Sequence, residues 1–309
     1  DWFVVLRGYV MRDLAKPLRT LLYVPGNKEE WILKAPKYGS DALILDLEDS
    51  VPLTEKSLAR EVVSRLVPIL AEQNITVFVR VNDPSTGLTE DDIAHCVVDG
   101  LYGITLPMVK QVSDVESVDA LIGMEEENKG IPLGTVLIDP GLETASGIRS
   151  AYDIAVSSKR VAHMGASGGR GGDVARSIGY RWSPQGNETL FIRSKVLLDS
   201  RAAGVPYPVT GLWQDIHDHD GLRSFAKHSR DLGYTGMSVI HPSHIEIVNQ
   251  VFSPTHQEIA EWMGIIEAMD GVRKMGGAAV QFNGAMVDIA HEKTARDMLS
   301  FSKALGLLD

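Results

Sequence analysis

The chain has 309 residues, a net charge of −11 and 44% hydrophobic residues. The negative balance argues against nucleic-acid binding, because neutralising phosphates requires a basic face. One cysteine, Cys96, excludes an internal disulfide framework, and no apolar run in the sequence reaches the length of a membrane span. These features predict a soluble cytoplasmic protein with a sizeable core, no membrane association and a small-molecule substrate.

Eight short apolar runs alternate with segments of helical patterning. In chain order they are Thr20–Val24, Ala42–Asp46, Val77–Val81, Gly103–Leu106, Gly134–Ile138, Arg160–Met164, Val205–Thr210 and Gly236–Ile240. Near-continuous apolar strands are typical of parallel sheets covered on both faces. The pattern predicts an α/β protein with a (β/α)8 TIM barrel over residues 19–253. A doubly wound sheet is weaker, because the first turn lacks the expected glycine-rich motif.

The two ends of the chain lie outside the predicted barrel. Residues 1–18 form an N-terminal segment. Residues 254–309 are predicted to form a C-terminal helical extension, with helices over Glu258–Met269 and His291–Ala304 and a glycine-containing segment between them. No ninth strand is predicted there. We expect this extension to pack on the barrel or on a neighbouring subunit.

Polar side chains follow most of the eight runs, at the rim where TIM barrels carry their active sites. They are Asp46, Glu48, Asp49, Arg80, Asn82, Lys110, Glu143, Asp173, Asp215, His241 and His244. Because strand side chains alternate, Asp46 and Glu48 share one face, and one of them is expected to position a lysine or arginine. The recurrence at one rim predicts a single site.

Glu143 and Asp173 follow the fifth and sixth runs and are predicted to hold one divalent ion. Carboxylates without cysteine suit Mg²⁺, or else Mn²⁺, and two protein ligands leave room for a chelating substrate such as an α-keto acid. The metal would act as a Lewis acid, and Arg80 would stabilise an oxyanion or enolate. The alternatives are a helix N-terminal acid at Glu143 and a helix cap at Asp173.

Other polar residues have simpler interpretations. His217-Asp-His-Asp220 suggests a metal cluster, but a solvated loop that caps a helix starting near Gly221 is favoured. His241 and His244 are interpreted as structural. Lys110 could form a Schiff base in a metal-free aldolase, which we regard as the weaker mechanism.

Four motifs occur in order at Arg19–Gly26, Leu45–Asp49, Val79–Asn82 and Ile240–His244. They resemble the citrate lyase β-subunit-like branch of the HpcH/HpaI aldolase superfamily, and the resemblance runs from about Arg19 to Asp288. Four further motifs are most similar to citramalyl-CoA and malyl-CoA lyases, namely Tyr23–Asn27, Glu188–Leu190, Phe252–Pro254 and Gly284–Asp288.

The resemblance implies a barrel that holds Mg²⁺ on Glu143 and Asp173. It also implies that Arg80 and Tyr23 contact the substrate and that Lys34 reaches its CoA portion. The implied activity is a carbon–carbon lyase that cleaves or forms a β-hydroxyacyl-CoA of the malyl-CoA or citramalyl-CoA type. The products of cleavage would be an α-keto acid and an acyl-CoA.

The resemblance also assigns residues outside this set. Asp288 is implied as the catalytic acid/base, in an extension that covers a neighbouring subunit's site, so a homo-oligomer such as a trimer or hexamer is expected. Gln214 and Asp215 match a further substrate-contacting pair, and Glu48 is placed with the substrate-binding residues.

The chain departs from the family pattern before the second metal ligand. Relatives usually have Phe-Gly-x-Glu-Asp, whereas this chain has Gly-Gly-Arg-Gly-Gly-Asp ending at Asp173. Glu30 also stands where related lyases have a second CoA-reaching lysine. We therefore expect the loop 167–172, which includes Arg170, to set substrate preference. The alternatives are a metal-dependent aldolase on a free hydroxy-keto acid without CoA, and a non-catalytic family member.

Overall fold

The computed structural model describes residues 15–308, which leaves most of the predicted N-terminal segment outside the described residues. Seven parallel strands form the central sheet, in the order β5-β4-β3-β2-β1-β7-β6. The strands are Thr20–Pro25 (β1), Ala42–Asp46 (β2), Thr76–Arg80 (β3), Gly103–Leu106 (β4), Leu137–Pro140 (β5), Val209–Thr210 (β6) and Gly236–Val239 (β7).

Helices separate most of the strands, as the alternating pattern predicts. Those of the first part of the chain are Glu29–Lys34 (α1), Lys56–Glu72 (α2), Thr89–Cys96 (α3), Val112–Lys129 (α4), Ala145–Arg149 (α5), Ala151–Ser157 (α6), Asp173–Ile178 (α7), Asn187–Ala202 (α8), His219–Leu232 (α9) and Ile245–Phe252 (α10). No helix among residues 15–308 is both long and apolar enough to cross a membrane.

The sheet is an α/β half-barrel of the TIM-barrel type, and it is not closed. The sixth predicted run, Arg160–Met164, is not a strand in the structure. It touches the sheet through an isolated parallel bridge between Val161 and Ile138. The prediction of eight regular strands closed into a (β/α)8 barrel is therefore wrong in this respect, although the first five strands and the last lie close to the predicted runs.

Proline explains why the seventh run shortens to two residues. Pro206 and Pro208 have no backbone N–H, so they cannot donate hydrogen bonds to a neighbouring strand. The open side of the sheet lies between its two edge strands, β5 and β6. Beside β6, the carbonyl oxygen of Ala166 accepts two long bonds, each of 3.3 Å, from Gly211 N and Thr210 Oγ1. Continuous strand pairing does not form across this gap.

A buried ion-pair network holds the sixth segment in place instead. The guanidinium of Arg160 lies 2.6 Å from Glu126 and 2.5 Å from Asp119, both on α4. It also donates to the carbonyl oxygen of Val136 at 2.8 Å, just before β5. Moving Arg160 out of this network would leave the buried charge of Glu126 without its partner, which is strongly destabilising. The network therefore fixes the segment that leads to the loop 167–172.

The chain divides into two compact units between Gln250 and Val251. The second unit contains His256–Lys274 (α11) and Ile289–Ala304 (α12), which extend the two helices predicted there. It also contains an antiparallel hairpin of Ala279–Phe282 (β8) and Ala285–Asp288 (β9), where no strand was predicted. Asn283 and Gly284 have φ of 47° and 84° at its turn, and Asn-Gly is a strong hairpin signal.

His163, in the sixth segment, makes the stability of the fold dependent on acid. Burial lowers the pKa of His163 to about 4, from an ordinary value of 6.5. The ring is fully buried against Phe78, at 5.6 Å between centroids, and lies 3.2 Å from the Tyr102 hydroxyl. The unfolded chain binds this proton more readily than the folded chain. Stability is therefore complete above about pH 6.5 and is lost as pH falls towards 4.

When the pH falls from 7 to 5, the unfolding free energy of the wild type should decrease, because unfolding lets His163 take up a proton. We expect the decrease to be roughly 2 kcal/mol smaller in His163→Gln, which lacks this group. Urea titrations at both pH values measure this difference. His95→Gln is the matched control, because the His95 ring is exposed. An equal loss in wild type and His163→Gln would contradict the assignment.

Candidate functional site

A cavity of about 830 Å³ opens at the carboxyl ends of the strands. The predicted site residues that line it are Tyr23, Lys34, Asp46, Asp49, Arg80, Glu143, Asp173, Gln214 and His241. Parallel strands bring their carboxyl ends to one edge of the sheet, which is why these residues meet there. The cavity has the size and position of a small-molecule site.

Arg80 is the centre of charge in the cavity wall. Its guanidinium binds Asp46 through two parallel bonds of 2.7 and 2.8 Å, and a third nitrogen lies 2.8 Å from Glu48. The ring of Tyr23 lies 5.0 Å from the guanidinium carbon. Three neighbours therefore orient Arg80 before any ligand arrives. Asp46 at the end of β2 and Glu48 in the loop that follows both contact this arginine.

These contacts shift the ionisation of the whole group. Burial alone would lower the pKa of Arg80, but the Asp46 hydrogen bonds and charge raise it, so Arg80 stays charged. Burial opposes the charged form of Asp46 too, yet Arg80 holds the pKa of that carboxyl below its usual range. Burial outweighs Arg80 at Glu48 and raises its pKa to about 8.

Glu143 faces the cavity from the loop after β5. Burial, reinforced by the charge of Asp173, raises the pKa of Glu143 to about 7 although Arg80 opposes the shift. The following helix, α5, is capped by Thr144, whose hydroxyl accepts from Gly147 N at 3.0 Å. Glu143 is therefore not needed as the cap.

Asp173 is the first residue of α7, whose N-cap is Gly172, and its carboxylate accepts a hydrogen bond from the Arg176 side chain. It lies 2.5 Å from Arg176 and remains partly exposed to the cavity. The helix-cap alternative is not what the structure shows. Loop and helix together direct the carboxylate of Asp173 to the same cavity as Glu143.

The residues fit the divalent ion that the family implies. Glu143 and Asp173 supply hard oxygen donors, and a cation would relieve their mutual repulsion. Among residues 15–308, no group of three or more His, Cys, Asp or Glu could hold a metal. An ion bound here would therefore complete its coordination with water or substrate oxygens.

The remaining predicted residues are placed differently. Lys34 lies at the cavity mouth with its ammonium 6.0 Å from the ring of Tyr38. Gln214 anchors the loop 167–172, because its Oε1 accepts from Arg170 N at 2.6 Å. Asp215 lies outside the cavity lining, since its carboxylate turns back to accept from His217 N at 3.0 Å. Its substrate role stays a prediction.

Asp288 belongs to the second unit and is the N-cap of α12. Its carboxylate accepts from Ala290 N at 2.9 Å and lies 2.7 Å from the ring of His291. The His291 hydrogen bond lowers the pKa of Asp288. Its role as acid/base stays a prediction from the resemblance.

Asp139 is a site residue that the sequence pattern did not predict. It lies on β5, lines the cavity, and has its pKa raised to about 7 by burial, with Glu143 reinforcing the shift. The fifth run was placed at Gly134–Ile138, whereas the strand is Leu137–Pro140, so Asp139 fell just beyond it. A charged residue next to Leu137 and Ile138 in an apolar run was the available signal.

A model of the HpcH/HpaI aldolase/citrate lyase family matches residues 19–242. The chain belongs to this family. It is 31% identical to the citrate lyase subunit beta of Leuconostoc mesenteroides subsp. cremoris, over 94% of this chain and 95% of that one. It is 33% identical to a (3S)-malyl-CoA thioesterase of Cereibacter sphaeroides, over 96% and 98%. The predicted family is therefore confirmed, and these relatives carry enzyme names.

Solved structures agree with this assignment. CitE from Mycobacterium tuberculosis, in complex with magnesium, acetoacetate and coenzyme A, has a TM-score of 0.71 and 25% identity, covering 94% of this chain and 99% of that one. A citrate lyase from Burkholderia xenovorans LB400 has a TM-score of 0.80 at 20% identity, covering 96% and 97%. The second likeness establishes the fold alone.

Removing the charge of Arg80 should destabilise the protein more than removing the charge of a surface arginine. Arg80→Met leaves Asp46 buried without its partner, so we expect a loss of roughly 3–5 kcal/mol of unfolding free energy. Arg65→Met is the control, because the Arg65–Glu29 pair is exposed to solvent and should contribute little to stability. Urea unfolding at pH 7 measures both, and equal losses would contradict a buried, mutually dependent pair.

Proposed function

We propose that the protein is a Mg²⁺-dependent carbon–carbon lyase acting on a β-hydroxyacyl-CoA of the malyl-CoA or citramalyl-CoA type. The observation that carries the proposal is the meeting of Glu143, Asp173 and Arg80 in one cavity. Two carboxylates there suit a divalent ion, and the oriented cation suits an oxygen that gains negative charge. Relatives named citrate lyase subunit beta and malyl-CoA thioesterase support this substrate class.

Glu143 and Asp173 would hold the ion, which would supply Lewis-acid polarisation of a substrate oxygen. Arg80 acts beside them as a fixed positive charge. Because Asp46 and Glu48 already orient its guanidinium, Arg80 needs little reorganisation when charge develops on the thioester oxygen. The ring of Tyr23 forms the other wall beside Arg80.

The cleavage balances with a base and an acid supplied by the protein. The substrate hydroxyl loses its proton, the carbon–carbon bond breaks, and the keto group of the α-keto acid forms. The electron pair of that bond passes to the thioester as an enolate, which then takes a proton at carbon to give the acyl-CoA. We propose Asp288 of a neighbouring subunit for this proton transfer, which requires a homo-oligomer such as a trimer or hexamer.

The cavity mouth supports binding of a long thioester. Trp31 and Tyr38 present aromatic surface there, and Lys34 adds a positive charge. An ammonium group can pair with a phosphate, and aromatic rings provide a face for an adenine ring or for the pantetheine chain. This arrangement favours CoA use over the free hydroxy-keto acid alternative.

Thioester hydrolysis is the second candidate, because relatives 32% and 33% identical are named (3S)-malyl-CoA thioesterase. In that reaction water adds to the thioester carbonyl and the CoA thiol leaves, so a free hydroxy acid forms and no keto acid appears. A non-catalytic member would release neither product.

Product analysis should separate these functions. With Mg²⁺ and malyl-CoA or citramalyl-CoA, we expect equal amounts of α-keto acid and acyl-CoA. The keto acid is measured by coupling to a lactate dehydrogenase-type reaction, and the acyl-CoA by chromatography. Free thiol without keto acid would instead establish hydrolysis. Cleavage of a free 4-hydroxy-2-keto acid, with none of either CoA ester, would favour the aldolase alternative.

Metal removal and one matched pair of variants should test the ligands. EDTA should abolish turnover and added Mg²⁺ should restore it. Glu143→Gln should lose most of the Mg²⁺-dependent turnover and most Mg²⁺ binding by calorimetry, because it removes one of two charged ligands. Glu116→Gln, at an exposed position on α4, is the control. Full activity and unchanged Mg²⁺ affinity of Glu143→Gln would contradict the ligand assignment.

A further inference from the structure

Four polar residues form a continuous row across the sheet. Asp46 pairs in register with Arg80, Arg80 with Thr105, and Thr105 with Asp139. Paired residues of neighbouring parallel strands project to the same face, and all four line the cavity. The row therefore carries a paired charge at β2 and β3 and a separate carboxyl group at β5.

Asp139 differs from Asp46 in how its carboxyl group is satisfied. Asp46 accepts two bonds from Arg80 and more from the Glu48–Ser50 backbone. Asp139 has a hydrogen bond of 3.5 Å from Thr105, and no cation of the described chain forms an ion pair with it. A carboxyl group with its oxygens in a largely buried site normally has good partners. This one faces the cavity with most of its capacity unused.

We propose that Asp139 determines specificity by binding a hydroxyl group on the keto-acid half of the substrate. This inference rests on the proposed function, since it assumes that Glu143 and Asp173 hold the metal that chelates that half. A hydroxyl group can donate a hydrogen bond to the carboxylate or accept one from the carboxylic acid. Within the proposed function, the preferred keto-acid half is therefore one that carries a hydroxyl group, and citramalyl-CoA, whose keto-acid half is pyruvate, is a substrate that binds less tightly.

Charge selects against a carboxylate at this position of the substrate, and desolvation selects against a methyl group. A second carboxylate at this position would meet Asp139 in the same confined space as Glu143, and like charges repel strongly there. A methyl group would displace water from Asp139 without replacing its hydrogen bond, which costs binding energy. The hydroxyl group alone satisfies the carboxyl group without adding charge.

Calorimetric titration of the Mg²⁺-loaded oligomer with pyruvate and with hydroxypyruvate tests this, because the two differ by one hydroxyl group. We expect hydroxypyruvate to bind roughly tenfold more tightly, or better, to the wild type. Asp139→Leu, which keeps the branched shape but has no polar atoms, should reduce that ratio to about twofold or less, chiefly by weakening the binding of hydroxypyruvate.

Two further variants keep the result interpretable. Thr105→Val removes the neighbouring hydroxyl group in the same row and should retain the preference, because Asp139 then depends more on the ligand. Asp139→Asn keeps an acceptor oxygen and should retain part of it, and it serves if Asp139→Leu fails to fold by circular dichroism. Equal affinities in the wild type, or an unchanged ratio in both Asp139 variants, would overturn the inference alone. Failure of the wild type to bind either acid with Mg²⁺ would overturn the proposed function as well.

Discussion

The ion pairs of Arg80 are the interaction on which the site depends. Asp46 at the end of β2 and Glu48 in the following loop form ion pairs with the guanidinium, and the ring of Tyr23 on β1 packs against it. A buried arginine requires such partners, because an unpaired charge in this environment is strongly destabilising. The same contacts that make the charge tolerable hold it in one orientation, which is the condition for stabilising charge that appears during a reaction.

The cavity also contains two acids, Glu143 and Asp173, whose charges are not balanced as that of Arg80 is. Glu143 and Asp173 both line one cavity, and among residues 15–308 the ion pair that one of them forms is that of Asp173 with Arg176. Burial raises the pKa of Glu143 to about 7. Repulsion within such a pair is a cost that the fold maintains, and a bound cation removes it. Stability and ligand binding are therefore opposed at these two residues, whereas they coincide at Arg80. Asp139 extends the contrast, because among residues 15–308 its carboxyl group has neither a cation nor a short hydrogen bond.

Local sequence predicted much of this arrangement. The runs at β1 to β4 are apolar and flanked by turn residues, so strand period and boundaries follow from the chain itself. The motifs around Arg80 and Glu143 placed both residues at strand ends, and the family resemblance was confirmed by the match over residues 19–242. The sixth run failed because its apolar composition resembles a strand, while prolines in the next run remove the donors that pairing requires.

The sequence by itself determined the residue types, their order and their positions at strand ends, because these depend on local hydrophobic pattern and turn chemistry. Only the tertiary structure decided which of them meet. Asp46, Arg80, Thr105 and Asp139 are far apart in the chain, and the register of four strands brings them into one row. Register depends on packing against the whole core rather than on any local motif. For that reason Asp139 became visible as a site residue, and Asp215 proved to lie outside the cavity lining, only when the strands were paired.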